Sequence, residues 1–175
     1  NHYEYIAVYV YDLAFAVDKP QKFVDTLRDK HNFKLKGTGP ISYHLGANFL
    51  CDMDGTISMS PKKYITKRLA TSYLSMFGEK PKSKCKSPLE KGDHPETDTS
   101  DLLDSEGIQQ YQSLIGSLQW TVTLGLYDVH CAVMTMSSFH AAPRIGYLER
   151  LKRIYGYLVN TSDYKICFRT HQPDY

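Results

Sequence analysis

An α+β fold follows from two features of this 175-residue chain. Short apolar and alternating runs fill residues 5–17 and 41–59, while apolar stripes at a period near 3.6 fill most of the chain from residue 61 onward. Gly-Pro punctuation between 37 and 40 and a polar stretch over 79–104 divide these blocks.

Residues 5–17, YIAVYVYDLAFAV, are rich in β-branched and aromatic types and broken at Asp12-Leu13. They predict two buried strands joined by a tight turn that carries the acid. Asp18 is placed to cap a short helix with Pro20 in its first turn and Phe23 and Leu27 on one face. After Gly37-Thr38-Gly39-Pro40 a hairpin is expected: Ile41 to Leu50, a turn at Asp52-Met53-Asp54-Gly55, then Thr56 to Met59. Ser60-Pro61 reads as a helix start and Gly78 as its stop. Between them Ile65, Leu69, Ser72, Tyr73, Met76 and Phe77 share one side, and Lys63, Lys67 and Arg68 the other.

Residues 79–104 change from basic to acidic, contain Pro, and read as an exposed linker. Three amphipathic helices then form a bundle. Their stripes are Ile108, Tyr111, Ile115, Leu118 and Val122; Val129, Ala132, Val133, Met136 and Phe139; and Tyr147, Leu148, Leu151, Ile154, Tyr155 and Leu158. Asp128 is expected as the N-cap of the second, and Tyr164 to Phe168 as a further strand.

With 21 Lys and Arg against 19 Asp and Glu, the net charge of +2 draws no polyanion to the chain as a whole. Any such site must come from local clustering of cations. Cys51, Cys85, Cys131 and Cys167 lie far apart without a C-x-x-C pair or a nearby His, which argues against zinc and for reduced, buried thiols. No signal peptide or membrane-length apolar run is present, since Tyr5 to Tyr11 ends at Asp12. The first residue is Asn1 rather than Met, so a fragment or processed piece is expected.

An acid in the turn of an apolar hairpin, as in Tyr9-Val10-Tyr11-Asp12-Leu13, is by itself usually a turn former. This pentapeptide resembles the Y-V-D-D-L signature of copia-type retrotransposon reverse transcriptases. Tyr43-His44-Leu45-Gly46 resembles that family's primer-grip strand pair. Asp54-Gly55-Thr56-Ile57-Ser58-Met59-Ser60 and Lys62-Lys63-Tyr64-Ile65 are similar to its next hairpin and first thumb helix, and Cys85-Lys86-Ser87-Pro88-Leu89 to its linker. Tyr111-Gln112-Ser113-Leu114-Ile115-Gly116-Ser117-Leu118, Leu151-Lys152-Arg153-Ile154 and Tyr157-Leu158 resemble its later helices. The matches run in the family's order along nearly the whole chain.

The resemblance implies that residues 1–60 are the C-terminal part of a polymerase palm with the primer-grip hairpin. Residues 61–160 are then a helical thumb, and 161–175 the start of a tether toward a ribonuclease H domain. It implies RNA-directed DNA polymerase activity in the intact polyprotein, Mg²⁺ as its cofactor, cytoplasmic particles as its location, and a primer–template RNA–DNA duplex as its partner. Polymerases hold two divalent ions with hard carboxylate oxygens, and the family's paired Asp residues supply them. Here Tyr11 takes the place of the first Asp and Asp12 remains as the one candidate metal ligand. A phenol with a pKa of roughly 10 carries no charge at neutral pH. The chain is therefore expected to hold no metal stably and not to polymerise. Tyr11 reads instead as an aromatic packed in the hairpin, and the remaining polyprotein domains are expected to be absent from this chain.

Leu45, Gly46, Lys63, Lys67 and Arg68 are the candidate nucleic-acid contacts that the resemblance implies; Lys152 and Arg153 are weaker ones. From the residues alone Gly46 is a strand bulge and the three cations a solvated helix face. The sequence departs from the family at Tyr147, often His there, and at Leu148, often Trp. Two other classes stay open: a non-catalytic nucleic-acid-binding module, and a helical protein-interaction domain.

Overall fold

The computed structural model describes residues 3–82 and 84–170. It is α+β, with five α-helices and two antiparallel sheets, and resolves into two compact units, Asn1–Leu45 and Gly46–Tyr175. No helix among the described residues is long and apolar enough to cross a membrane.

In the first unit, β1 (Tyr5–Tyr9) pairs with β2 (Asp12–Ala16), and Tyr9 stands opposite Asp12. The two-residue turn is thus Val10-Tyr11, and the acid opens β2 rather than lying in the turn. Val10 takes φ 50, a left-handed conformation costly for a β-branched side chain. All five residues of β1 are exposed, against the expected burial: a two-stranded ribbon has few neighbours to cover it. α1 (Pro20–His31) has Pro in its first turn, as expected, and places the Phe23 ring 6.0 Å from Phe15. Its N-cap is Lys19, one residue beyond the expected Asp18, and it stops at Asn32 in the left-handed region. β3 (Tyr43–His44) follows.

The second unit contains β4 (Ala47–Cys51), β5 (Ile57–Ser60) and β6 (Ile166–Phe168), antiparallel, with Cys51 opposite Ile57 and Ile57 opposite Phe168. Ile41 to Leu50 is not one strand, because Leu45 (φ 51) and Gly46 (φ 99) turn the chain between β3 and β4. The Asp52–Gly55 turn forms as expected; the Asp54 carboxylate accepts from the Thr56 N–H at 2.9 Å, which holds its pKa low.

The helix expected after Pro61 runs over 62–77. It carries a π-helical segment at Tyr64–Leu69 before α2 (Ala70–Phe77) and ends on Gly78 at φ 67. The wider turn brings both Tyr64 and Ile65 into the core beside Leu69 and Tyr73. α3 (Ser105–Thr123), α4 (His130–Ser137) and α5 (Ile145–Asn160) complete the bundle. The Asp104 side chain caps α3 by accepting from Gly107 N–H at 2.8 Å. All three expected stripes supply the core, with Tyr111, Leu118, Val129, Val133, Met136, Leu151 and Ile154 fully enclosed. Val129, not Asp128, caps α4; the Asp128 carboxylate accepts instead from the Tyr157 hydroxyl at 2.7 Å.

Two further expectations fail. Residues 79–104 are no free linker but a strap held on α5. Arg150 grips the Asp93 carboxylate with two nitrogens at 2.8 Å and Asp98 at 2.6 Å, and Arg153 donates to Glu90 at 2.9 Å. The polar composition that resembles a linker is there to be paired. The thiols are free, but Cys51, Cys131 and Cys167 are exposed and Cys85 half-buried, since the strands and helix carrying them turn those positions outward. Of the expected tether, 161–170 includes β6; 171–175 lie outside the described residues.

Candidate nucleic-acid interface

The sequence-predicted site residues fall in different units: Tyr11, Asp12 and Leu45 in the first, Gly46, Lys63, Lys67 and Arg68 in the second.

In the first unit, Asp12 opens β2 exposed, and Tyr11 is 96% exposed beside it. Tyr11 packs against nothing that would justify reading it as a buried hairpin aromatic. Among the described residues no group of three or more His, Cys, Asp or Glu side chains is placed to hold a metal ion. A two-ion centre needs several hard oxygen donors, and one carboxylate on a hairpin shoulder does not provide them. Leu45 ends this unit, half-buried and left-handed.

In the second unit, Asn48 stands two residues after Gly46, and its side-chain carbonyl accepts the Lys63 backbone N–H at 3.0 Å. That bond satisfies a donor at the first turn of the 62–77 helix and fixes its start against β4. One residue on, the Tyr64 hydroxyl donates to the Ser117 carbonyl of α3 at 3.3 Å. With Tyr64, Ile65, Leu69 and Tyr73 turned inward, Lys63, Lys67 and Arg68 are left on the outer face, all exposed. Lys67 and Arg68 form no ion pair with any described residue, so their charge is available to a ligand. Lys62, which adjoins them, bridges to Asp163.

Gly46 has a structural reason to lack a side chain. A Cβ there would stand 3.2 Å from both Trp120 Nε1 and Leu124 Cδ1, and φ 99 strains any other residue. The expected bulge is therefore a turn closed against α3. Asn48 and Trp120 are not marked by the sequence reading, and Tyr64 is marked only inside the thumb-helix resemblance; the one available signal is that Trp120 interrupts the polar side of α3 with a large aromatic.

Lys152 and Arg153 belong to other business. Lys152 pairs with Glu149 at 2.7 Å and lies 4.7 Å over the Phe77 ring, and Arg153 holds the strap. A cleft of about 430 Å³ between strap and α5 is lined by Tyr73, Lys82, Cys85, Arg150 and Arg153 among others. Arg150 and Arg153 are already paired there with acids of the strap.

The fold and this basic corner define an α+β chain with one solvated cationic helix face over a helical bundle. No protein-family model matches it. No solved structure matches it either. Among curated proteins it is similar to the one named "Putative transposon Ty5-1 protein YCL074W" of Saccharomyces cerevisiae, with 31% identity over 169 residues. The match takes in 95% of this chain and 52% of that protein, so the chain spans about half the length of the relative. It is related by sequence to a transposon protein.

Proposed function

We propose that the chain is the palm-end and thumb segment of a copia-type retrotransposon reverse transcriptase, and that as it stands it binds nucleic acid without polymerising. One observation carries the reading: relatedness to a transposon protein over 95% of the chain, the same stretch along which the reverse-transcriptase-like motifs run in order. In this reading residues 1–60 belong to the palm and 61–160 to the thumb. Asp12 is what remains of the metal-binding pair, Leu45 and Gly46 lie at the primer grip, and the Lys63, Lys67 and Arg68 face meets phosphates. One carboxylate at Asp12, with a neutral phenol beside it, does not fit a pair of Mg²⁺ ions. The intact element's particles would be cytoplasmic.

Exposed, unpaired Lys67 and Arg68 favour the nucleic-acid-binding module over a helical protein-interaction domain. With about three phosphate contacts, log K for an RNA–DNA hybrid falls with log salt at a slope of about −2 to −3. Binding is weak and blind to sequence, because no residue of the face is placed to read base edges. Replacing Lys63, Lys67 and Arg68 together by Gln flattens that slope in a fluorescence-anisotropy titration. An unchanged slope in the triple variant decides for the protein-interaction domain. Primer extension with Mg²⁺ or Mn²⁺ tests the other half: template-dependent incorporation by chain 1–175 above a no-protein control would refute inactivity.

A further inference from the structure

The chain has a single tryptophan, and it sits where the cationic helix begins. Trp120 lies in the last turn of α3, 36% exposed, and no described group accepts a hydrogen bond from its indole N–H. Three contacts fix its surroundings. Gly46 backs onto Nε1, where a Cβ would come to 3.2 Å. Asn48, two residues on, holds the Lys63 backbone N–H. Tyr64 is bonded to Ser117, one helical turn before Trp120. A partly exposed indole, an unused N–H donor and the start of a basic helix therefore meet at one corner of the second unit.

We propose that Trp120 is a base-stacking residue, and that the ligand of this corner is single-stranded nucleic acid. The inference rests on the nucleic-acid reading above and deepens it. A cationic face alone neutralises phosphates of paired and unpaired strands alike. An indole face adds something only when a base face is free to lie on it, and in a duplex both faces are covered by neighbours. Stacking of this kind tolerates any sequence, since every base has a π-face. Two features serve this role beyond packing. Gly46 lets the backbone pass against the Nε1 edge while over a third of the residue stays exposed, and the cations of the helix that starts on Asn48 would hold a backbone while the base stacks.

The lone tryptophan reports on itself. In low salt, titrating chain 1–175 with an oligothymidylate should quench its emission saturably, shield it from acrylamide, and lose both effects as salt is added. A blunt RNA–DNA hybrid should bind with little change in emission. Trp120→Ala should weaken oligothymidylate binding about five-fold or more, the low end for one stacked base, and leave hybrid binding near the parent's. Circular dichroism checks that this variant folds; if it does not, the parent's quenching and acrylamide shielding decide alone. Binding of a labelled oligothymidylate with no change in tryptophan emission, or equal affinity in folded Trp120→Ala, overturns the role of Trp120 and leaves the cationic face standing. Failure of every nucleic acid to bind overturns both.

Discussion

At the scale of residues, two glycines and an arginine decide how the strap over 79–104 lies on α5. A Cβ at Gly146 would come within 2.0 Å of the Asp98 carboxylate, and one at Gly156 within 2.2 Å of the Lys82 carbonyl. The second clash is with backbone, which cannot step aside as a side chain can. Gly156→Ala should therefore lower stability by about 1–3 kcal/mol despite Ala's better helix propensity, read as a shifted urea midpoint; an unchanged midpoint would mean that the strap is loose. Between the glycines Arg150 is mostly buried, with Asp93 and Asp98 around it. Removing the cation strands two mostly buried carboxylates, so Arg150→Gln should cost roughly 3 kcal/mol. The Ser100 hydroxyl, then Arg150, hold the Asp98 carboxyl at about 2. That lies below the ordinary value near 3.9. A depressed folded pKa contributes stability fully present above about pH 4 and lost as pH falls through 2. The parent should accordingly lose stability over that acid window, and Arg150→Gln should show a shallower loss because part of the depression is gone.

At the scale of elements, periodicity was a reliable guide wherever one face meets a core. The stripe from Tyr111 to Leu118, and that from Leu151 to Leu158, are enclosed as their spacing requires, because burying a 3.6-period face leaves few other arrangements. Leu118→Ala should cost about 2–5 kcal/mol with α3 still in place, measured by thermal or urea unfolding; a loss under 0.5 kcal/mol would put Leu118 outside the core. What spacing could not show is partnership. The strap has the composition of a solvated connector, and only Arg150 and Arg153, more than 50 residues further on, turn its acids into anchors. β1 has the composition of a buried strand and is exposed throughout, because a strand's burial depends on neighbours that its own residues do not specify. The candidate site was legible in part for the same reason. The alternation of Lys63 and Lys67 with Ile65 and Leu69 marked an outward basic face. Nothing local tied Trp120 to Gly46, which are 74 positions apart and meet only through the fold.

At the scale of the whole molecule, the two units differ in kind. Among the described residues every buried apolar side chain, from Ala47 to Leu158, belongs to the second unit, and α1 in the first buries none. A core of that size suffices for independent folding. Residues 46–175 expressed alone should keep a cooperative thermal transition within a few degrees of the full chain's. A non-cooperative melt would show that the first 45 residues contribute to the core.

The strap also sets an order of events in time. It leaves the ribosome ahead of α3, α4 and α5, yet its anchors Arg150 and Arg153 stand on the last helix, 52 to 63 residues after the groups they hold. At roughly 5–20 residues per second, synthesis separates strap from anchor by several seconds. During that interval Asp93 and Asp98 are solvated and the groove along α5 does not exist. Closing so long a loop also comes late in refolding, since its entropy is lost before any contact repays it. Attachment of the strap thus belongs with the late steps of folding in the second unit, together with the pairing of β6 on β5, which closes a still longer loop.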